Sequence, residues 1–192
     1  MRKRSITIQY NAPVTLTFAL LCLLALLLGK LTDGWTAQNL FVVFRSPLSD
    51  LLTYPRLLLH VLGHQDFASC AAAIVMILVV GPAAEERLSS RRVLLAIVVT
   101  ALVTSLVLWF LFPAGTSLRG ASGVAFMLIV LSSFAGARGG VIPLTLILVL
   151  VLYLGTEIVQ AFSGTAGLVQ LTHIAGGLVG IVLGLVYIRG GR

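Results

Sequence analysis

Long apolar runs limit this chain of 192 residues to very few architectures. A membrane-spanning helix needs about 20 mostly apolar residues, and six runs of roughly that length occur here. They cover approximately residues 13–31, 56–81, 93–112, 121–137, 141–162 and 168–188. Only helices and closed barrels satisfy their own backbone hydrogen bonds in lipid. The pattern therefore predicts an all-α, polytopic membrane protein, with one domain over residues 1–192 folded as a six-helix bundle in the lipid bilayer.

The composition excludes a soluble globular domain. Hydrophobic residues make up 59% of the chain and charged residues 10%, with a mean hydropathy of +1.10. A soluble domain of this size cannot bury so much apolar surface. The net charge is +7, but the basic residues form no aromatic-interleaved patch of the kind that nucleic acids require. We therefore expect no nucleic-acid partner.

The basic residues instead lie between the apolar runs, where they indicate topology. Nine fall on one side of the predicted bundle: Arg2, Lys3, Arg4, Arg87, Arg91, Arg92, Arg138, Arg189 and Arg192. Four fall on the other: Lys30, Arg45, Arg56 and Arg119. The positive-inside rule then places both termini in the cytoplasm. The basic N-terminus resembles a signal peptide, but without a convincing small-residue cleavage site we predict a retained first helix.

Two polar residues open apolar runs at similar depth. Ser122 begins the fourth run and His173 lies near the start of the sixth, so both fall on the same side of the predicted membrane. A serine hydroxyl becomes a nucleophile when a nearby base takes its proton, and neutral imidazole is such a base. The N-terminus of a helix also favours developing negative charge. Nucleophilic catalysis by this pair is the leading hypothesis, and simple helix packing with a histidine bonded to a carbonyl is the alternative.

Glycines offer a way to bring the two runs together. Gly176, Gly180 and Gly184 recur every four residues along one face of the sixth run, as in GxxxG packing. Gly120 and Gly123 flank Ser122 and provide a small surface on the fourth run. We expect this close approach to allow a hydrogen bond of about 3 Å between serine and histidine, although glycine and serine are also common wherever membrane helices touch.

No metal or cofactor is expected. His60 and His64 are four residues apart and would share one helix face, but zinc needs more ligands than two. A structural or oxyanion-lining role is more plausible for them. Cys22 and Cys70 lie within apolar runs and are expected to be small core residues.

Four motifs in order resemble those of the rhomboid intramembrane serine proteases, over residues 56–186. The family's G-x-S-G occurs at residues 120–123, and its H-x-x-G-x-x-x-G at residues 173–180. Residues 85–90 resemble its E-x-R-x-G-S turn, with Ser89 in place of glycine. Arg56 resembles the arginine of the family's membrane-lying first loop. Independently of the resemblance, the aromatic and polar composition of the loop at residues 32–55 suits a segment lying in the outer membrane interface, with a plain extracytoplasmic loop as the equal alternative.

The resemblance implies a catalytic dyad, with Ser122 as nucleophile and His173 as general base. Asp66 and Glu157 are weak candidates for a third acidic partner. Phe126 stands where the family often has a tyrosine that packs on the histidine, and is expected to line the active site.

One motif departs from the family. Active rhomboids usually carry H-x-x-x-H-x-x-x-x-H-x-x-x-N, of which His60 and His64 are present here. Ser69 and Ala73 replace the last two residues, whose side chains normally hold the oxyanion. Ser69, His64, Gly120 and the backbone N–H of Ser122 are expected around a depleted oxyanion hole. Losing one donor costs roughly 10²–10³ in rate, so reduced activity is expected.

These features favour an intramembrane endopeptidase, of reduced activity, acting on transmembrane segments of membrane proteins. The alternative is a catalytically inactive relative that binds transmembrane helices. A small transporter is disfavoured, because the chain has neither an inverted repeat nor a charged midplane pathway. We expect a multi-pass protein of a bacterial plasma membrane.

Overall fold

The computed structural model describes residues 10–135 and 167–189, and seven isolated helical residues between them (Leu144, Ile147, Leu148, Val151, Leu152, Gly155 and Val159). The helices are α1 (Pro13–Leu31), α2 (Trp35–Asn39), α3 (Thr53–Leu59), α4 (Phe67–Leu88), α5 (Ser90–Leu111), α6 (Ser122–Ala135) and α7 (Gly167–Arg189). A 3₁₀ turn covers His60–Leu62. Two short antiparallel strands, β1 (Val43–Phe44) and β2 (Ser117–Leu118), pair Val43 with Leu118.

Four of the described helices are long and apolar enough to cross a membrane. They are Pro13–Leu31, Phe67–Leu88, Ser90–Leu111 and Gln170–Tyr187, and Ser122–Phe134 is a shorter apolar helix. Large apolar side chains such as Leu27, Val79 and Phe110 are exposed on their outer faces, as suits a lipid environment. The predicted fifth run, residues 141–162, lies outside the described residues except for the seven isolated ones.

The predicted start of the second run at Arg56 is wrong, because α4 begins at Phe67. A capping box at Asp66 nucleates the helix there, since the Ser69 N–H donates to the Asp66 carboxylate at 2.8 Å. Gly63 has an extended backbone that ends the 3₁₀ turn. A Cβ on Gly63 would lie 1.9 Å from the Phe41 carbonyl oxygen, so only glycine fits where these two loops cross. His60 and His64 consequently do not share a helix face.

Helix α6 is the centre of the described bundle. It packs against α4, α5 and α7, and the side chains along its first three turns are buried on all sides. Those at most 6% exposed are Val124, Ala125, Phe126, Met127, Leu128, Val130 and Leu131. A helix that is apolar all round belongs in the middle of a bundle. The residue at its start, Ser122, is thereby held among the surrounding helices.

Glycines on α7 let its backbone touch α6. A Cβ added to Gly176 would lie 2.5 Å from the Gly123 carbonyl oxygen, and one on Gly180 would lie 2.8 Å from the Met127 carbonyl oxygen. A Cβ on Gly184 would lie 2.7 Å from the Phe134 ring. All three glycines are therefore needed for this helix contact. Gly123 is different, because its own Cβ would meet Thr104 Cγ2 at an ordinary 3.5 Å.

A buried arginine organises the loop between α1 and α3. Arg56 is 3% exposed, donates to the Asn39 carbonyl and to Asp50 at 2.7 Å each, and lies over the Phe44 ring. The pKa of Asp50 is lowered by the hydrogen bond from the Leu52 N–H and by Arg56. The loop is thus tied to α3 through a paired, hydrogen-bonded charge, which is the form in which buried charges are tolerated.

Near the C-terminal end of α4, a carboxylate caps the start of α1. Glu85 is 3% exposed and accepts hydrogen bonds from the backbone N–H groups of Val14 and Thr15, both at 2.9 Å. These are among the N–H groups that lack intrahelical partners at a helix start. The adjoining turn contains Ser89 at φ 87° and ψ 150°, a region that only glycine occupies without strain.

Ser89→Gly is expected to stabilise the protein. Glycine relieves the strain at this positive φ but gains freedom in the unfolded chain, leaving a net increase of about 1 kcal/mol in the free energy of unfolding. Unfolding of the detergent-solubilised protein measures it. Ser90→Gly is the matched control, because Ser90 is already helical and glycine should destabilise it. Equal destabilisation by both variants would contradict the strain at Ser89.

Gly176→Ala is expected to destabilise the α6–α7 pair. The added methyl group overlaps backbone atoms of Gly123, so the two helices must separate, at a cost of about 1–3 kcal/mol. Gly123→Ala is the control, since its methyl group has room and alanine favours the helix. Unfolding in mixed micelles compares the two, and equal effects would argue against this close helix contact.

Candidate active site

A glycine turn leads the chain into α6. Gly120 has φ +128°, a conformation that side chains disfavour, and its N–H donates to the His60 carbonyl oxygen at 3.0 Å. The Gly120 N–H is therefore already used. Ser122 is the first residue of α6, where backbone N–H groups have no intrahelical acceptor.

Ser122 and His173 lie in direct contact. The distance from Ser122 Oγ to His173 Nε2 is 2.7 Å, and both residues are partly buried. This is a short hydrogen bond between side chains 51 residues apart. The hydroxyl donates to Nε2 when the neutral ring carries its proton on Nδ1. An arrangement of this kind can move the serine proton onto the histidine.

Phe126 lies one turn below Ser122 and contacts a glycine on α7. Its ring is 1% exposed, and a Cβ added to Gly177 would lie 2.3 Å from the ring. Gly177 follows His173 by one turn, so the ring fills the space between the two helices beneath the Ser122–His173 pair. Phe126 is not among the residues that line the cavity described below, and its role in lining the active site stays a prediction. The sequence prediction missed Gly177, although its pairing with Gly176 was a visible signal.

His60 is buried and hydrogen-bonded on both ring nitrogens. It is 1% exposed, and its ring nitrogens lie 3.2 Å from Thr104 Oγ1 and 3.3 Å from Ser105 Oγ, both on α5. Its carbonyl oxygen accepts from Gly120. His60 thus joins the 3₁₀ turn to α5 and to the segment that leads into α6.

A cavity of about 150 Å³ opens beside Ser122. The predicted residues His64, Ser69 and Gly120 line it, as does Ala73. The remaining lining residues are Gln65, Arg119 and Ala121. Sequence reasoning missed Gln65 and Arg119, because nothing in their local pattern shows that two separate loops meet here.

The Ser69 hydroxyl is committed to the start of α4. It donates to the Asp66 carbonyl oxygen at 3.0 Å and accepts weakly from the Asp66 N–H at 3.4 Å. The Ser69 N–H in turn lowers the pKa of Asp66 by bonding its carboxylate. A hydroxyl has one proton to donate, so Ser69 has none left for the cavity, and Ala73 has no polar group.

His64 presents a nitrogen without a partner. Its Nδ1 lies 3.1 Å from the Leu62 carbonyl oxygen and must carry a proton to bond it. Burial lowers the pKa of His64, which favours the neutral ring, so Nε2 is then an acceptor. The residue is 7% exposed, and Nε2 has no hydrogen-bond partner within the described part of the chain.

The described residues contain no cluster of three or more His, Cys, Asp or Glu side chains that could hold a metal ion. Cys22 and Cys70 are free, buried thiols, and both belong to the apolar core of the described residues.

Comparison with known proteins supports one family. A search of curated proteins found no match to this chain. The family model described as "Rhomboid domain" matches residues 52–190, which include α3 to α7 and both members of the Ser122–His173 pair. This match covers well over half of the chain, and the polytopic helical fold agrees with it. The chain therefore belongs to the rhomboid family.

Proposed function

We propose that this protein is an intramembrane serine endopeptidase that cleaves transmembrane segments of membrane proteins. The 2.7 Å contact between Ser122 Oγ and His173 Nε2 carries the proposal. It lies at the start of the central helix and beside a cavity, where a substrate carbonyl can reach the hydroxyl. The nine-to-four distribution of basic residues supports a site on the extracytoplasmic side, with both termini in the cytoplasm.

The reaction begins at the serine hydroxyl. Ser122 Oγ attacks the scissile carbonyl carbon while its proton passes to His173 Nε2. When the tetrahedral intermediate collapses, the carbon–nitrogen bond breaks and His173 returns the proton to the leaving amine. A water molecule, deprotonated by His173, then hydrolyses the acyl-serine and restores the hydroxyl. The scissile peptide must first leave its helix, so substrates with small, helix-breaking residues are favoured.

Two side-chain donors that the family usually places around the oxyanion are missing from the described cavity wall. Because Ser122 begins α6, its backbone N–H and the positive end of the α6 dipole are the donors that this proposal assigns to the oxyanion. Ser69 and Ala73 contribute none, since the hydroxyl of one caps α4 and the other is apolar. Missing donors of this kind cost roughly 10²–10³ each, so we expect slow turnover.

A second candidate function is binding of transmembrane helices without cleavage. The occupied Ser69 hydroxyl and the apolar Ala73 favour it. The Ser122–His173 hydrogen bond favours the protease, because binding alone has no need for a base beside a hydroxyl.

Cleavage should depend on both members of the pair. In liposomes with a single-span substrate carrying a fluorogenic reporter, we expect slow proteolysis that Ser122→Ala and His173→Ala each abolish. Ser133→Ala is the matched control, because among the described residues this serine of α6 bonds its own helix, at the Ile129 carbonyl, and the change should leave the rate unchanged. Equal cleavage by the protein and by Ser122→Ala would contradict the proposal.

Restoring two side chains should accelerate the reaction. The double substitution Ser69→His and Ala73→Asn adds donors at the cavity wall, and we expect a rate increase of at least about tenfold and up to about 10³. Ser69→Ala alone should change the rate little, since that hydroxyl proton already bonds Asp66. A folded double variant whose rate is unchanged would show that these positions do not face the oxyanion.

A further inference from the structure

A second cavity adjoins the one beside Ser122. It measures about 260 Å³ and lies between the C-terminal end of α1, α2 and the segment at residues 63–66. His64, Gln65 and Arg119 line both cavities. The shared residues place the two cavities side by side, and together we call them the groove.

The groove carries positive charge. Arg119 and Lys30 line it, and Asp66 is the acidic residue there, with its carboxylate engaged by the Ser69 N–H. Arg119 is partly buried and, among the residues that the structure describes, makes no ion pair or hydrogen bond.

Arg45 and Arg56 show how other guanidinium groups of this fold are hydrogen-bonded. Arg45 donates to the carbonyl oxygens of Trp109 and Phe112, and Arg56 is paired with Asp50. A partly buried guanidinium without such partners retains its full capacity for a carboxylate, which it can bind with two parallel hydrogen bonds.

His64 independently indicates a ligand in the groove. Its Nε2 is buried and unpartnered in the described part of the chain, and as an acceptor it suits a donor such as a peptide N–H. A cation beside an unpaired acceptor matches an extended polypeptide that offers a carboxylate and a backbone N–H.

We propose that Arg119 is a specificity-determining residue that binds an Asp or Glu side chain of the substrate close to the scissile bond. The inference rests on the proposed function and names a feature of its substrates. Lys30 adds to the positive potential of the groove. The carboxylate of the substrate fills the position next to the guanidinium, and its flanking backbone lies along His64.

Binding to the Ser122→Ala variant tests this proposal without requiring catalysis. Labelled single-span peptides carry one Glu, scanned residue by residue along the extracytoplasmic half of the peptide, or Gln at the same position. At the best position we expect the Glu peptide to bind about five- to tenfold more tightly than the Gln peptide. This range lies between the effects of an exposed ion pair and a desolvated one.

The added substitution Arg119→Gln should remove that preference, and Arg119→Lys should restore part of it. Arg119→Glu should reverse it, so that a Lys peptide binds more tightly than the Glu peptide. Arg91→Gln is the matched control. Arg91 is exposed near the N-terminal end of α5, and its substitution should leave the preference intact.

Loss of the Glu preference in Arg119→Gln, with the preference intact in Arg91→Gln, would support the assignment. A preference that is absent at every position, or that survives Arg119→Gln, would overturn it. Peptide binding with the expected preference but no cleavage by the protein with Ser122 intact would support Arg119 and contradict the protease, so the two failures remain distinguishable.

Discussion

Backbone contact between α6 and α7 is the constraint on which the candidate site depends. Gly176 carries no side chain where the Gly123 carbonyl comes closest, and the two helices meet there without an intervening layer of side chains. One helical turn away, Ser122 Oγ and His173 Nε2 are within 2.7 Å. Helix packing that separates the backbones by even a methyl group would lengthen this hydrogen bond, so packing and chemistry are coupled.

Hydrogen bonds at the start of α4 limit which donors face the cavity beside Ser122. The capping box that starts α4 uses the Ser69 hydroxyl, which removes a donor from the cavity wall. The same capping box starts α4 after His64, which lies outside a helix and lines the cavity beside Ser122. A single short segment thus determines where α4 begins and which polar groups face the reacting serine.

The apolar runs and the motifs predicted much of this arrangement. The first run matches α1, and the similar depth of Ser122 and His173 was visible in the sequence, whereas their catalytic roles remain a proposal. The start of α4 was mispredicted, because leucines in α3 and the 3₁₀ turn extend the apolar run past the capping signal at Asp66. The place of Arg119 in the groove depends on how separate loops pack, which hydropathy does not reveal.

Reaction of the native protein with a fluorophosphonate probe tests the central claim most directly, since the probe reacts preferentially with a serine that a base has activated. We predict a single phosphonyl adduct, located on Ser122 by mass spectrometry, that is absent in Ser122→Ala and strongly slowed in His173→Ala. An adduct at another serine, or no adduct on folded protein, would contradict the account.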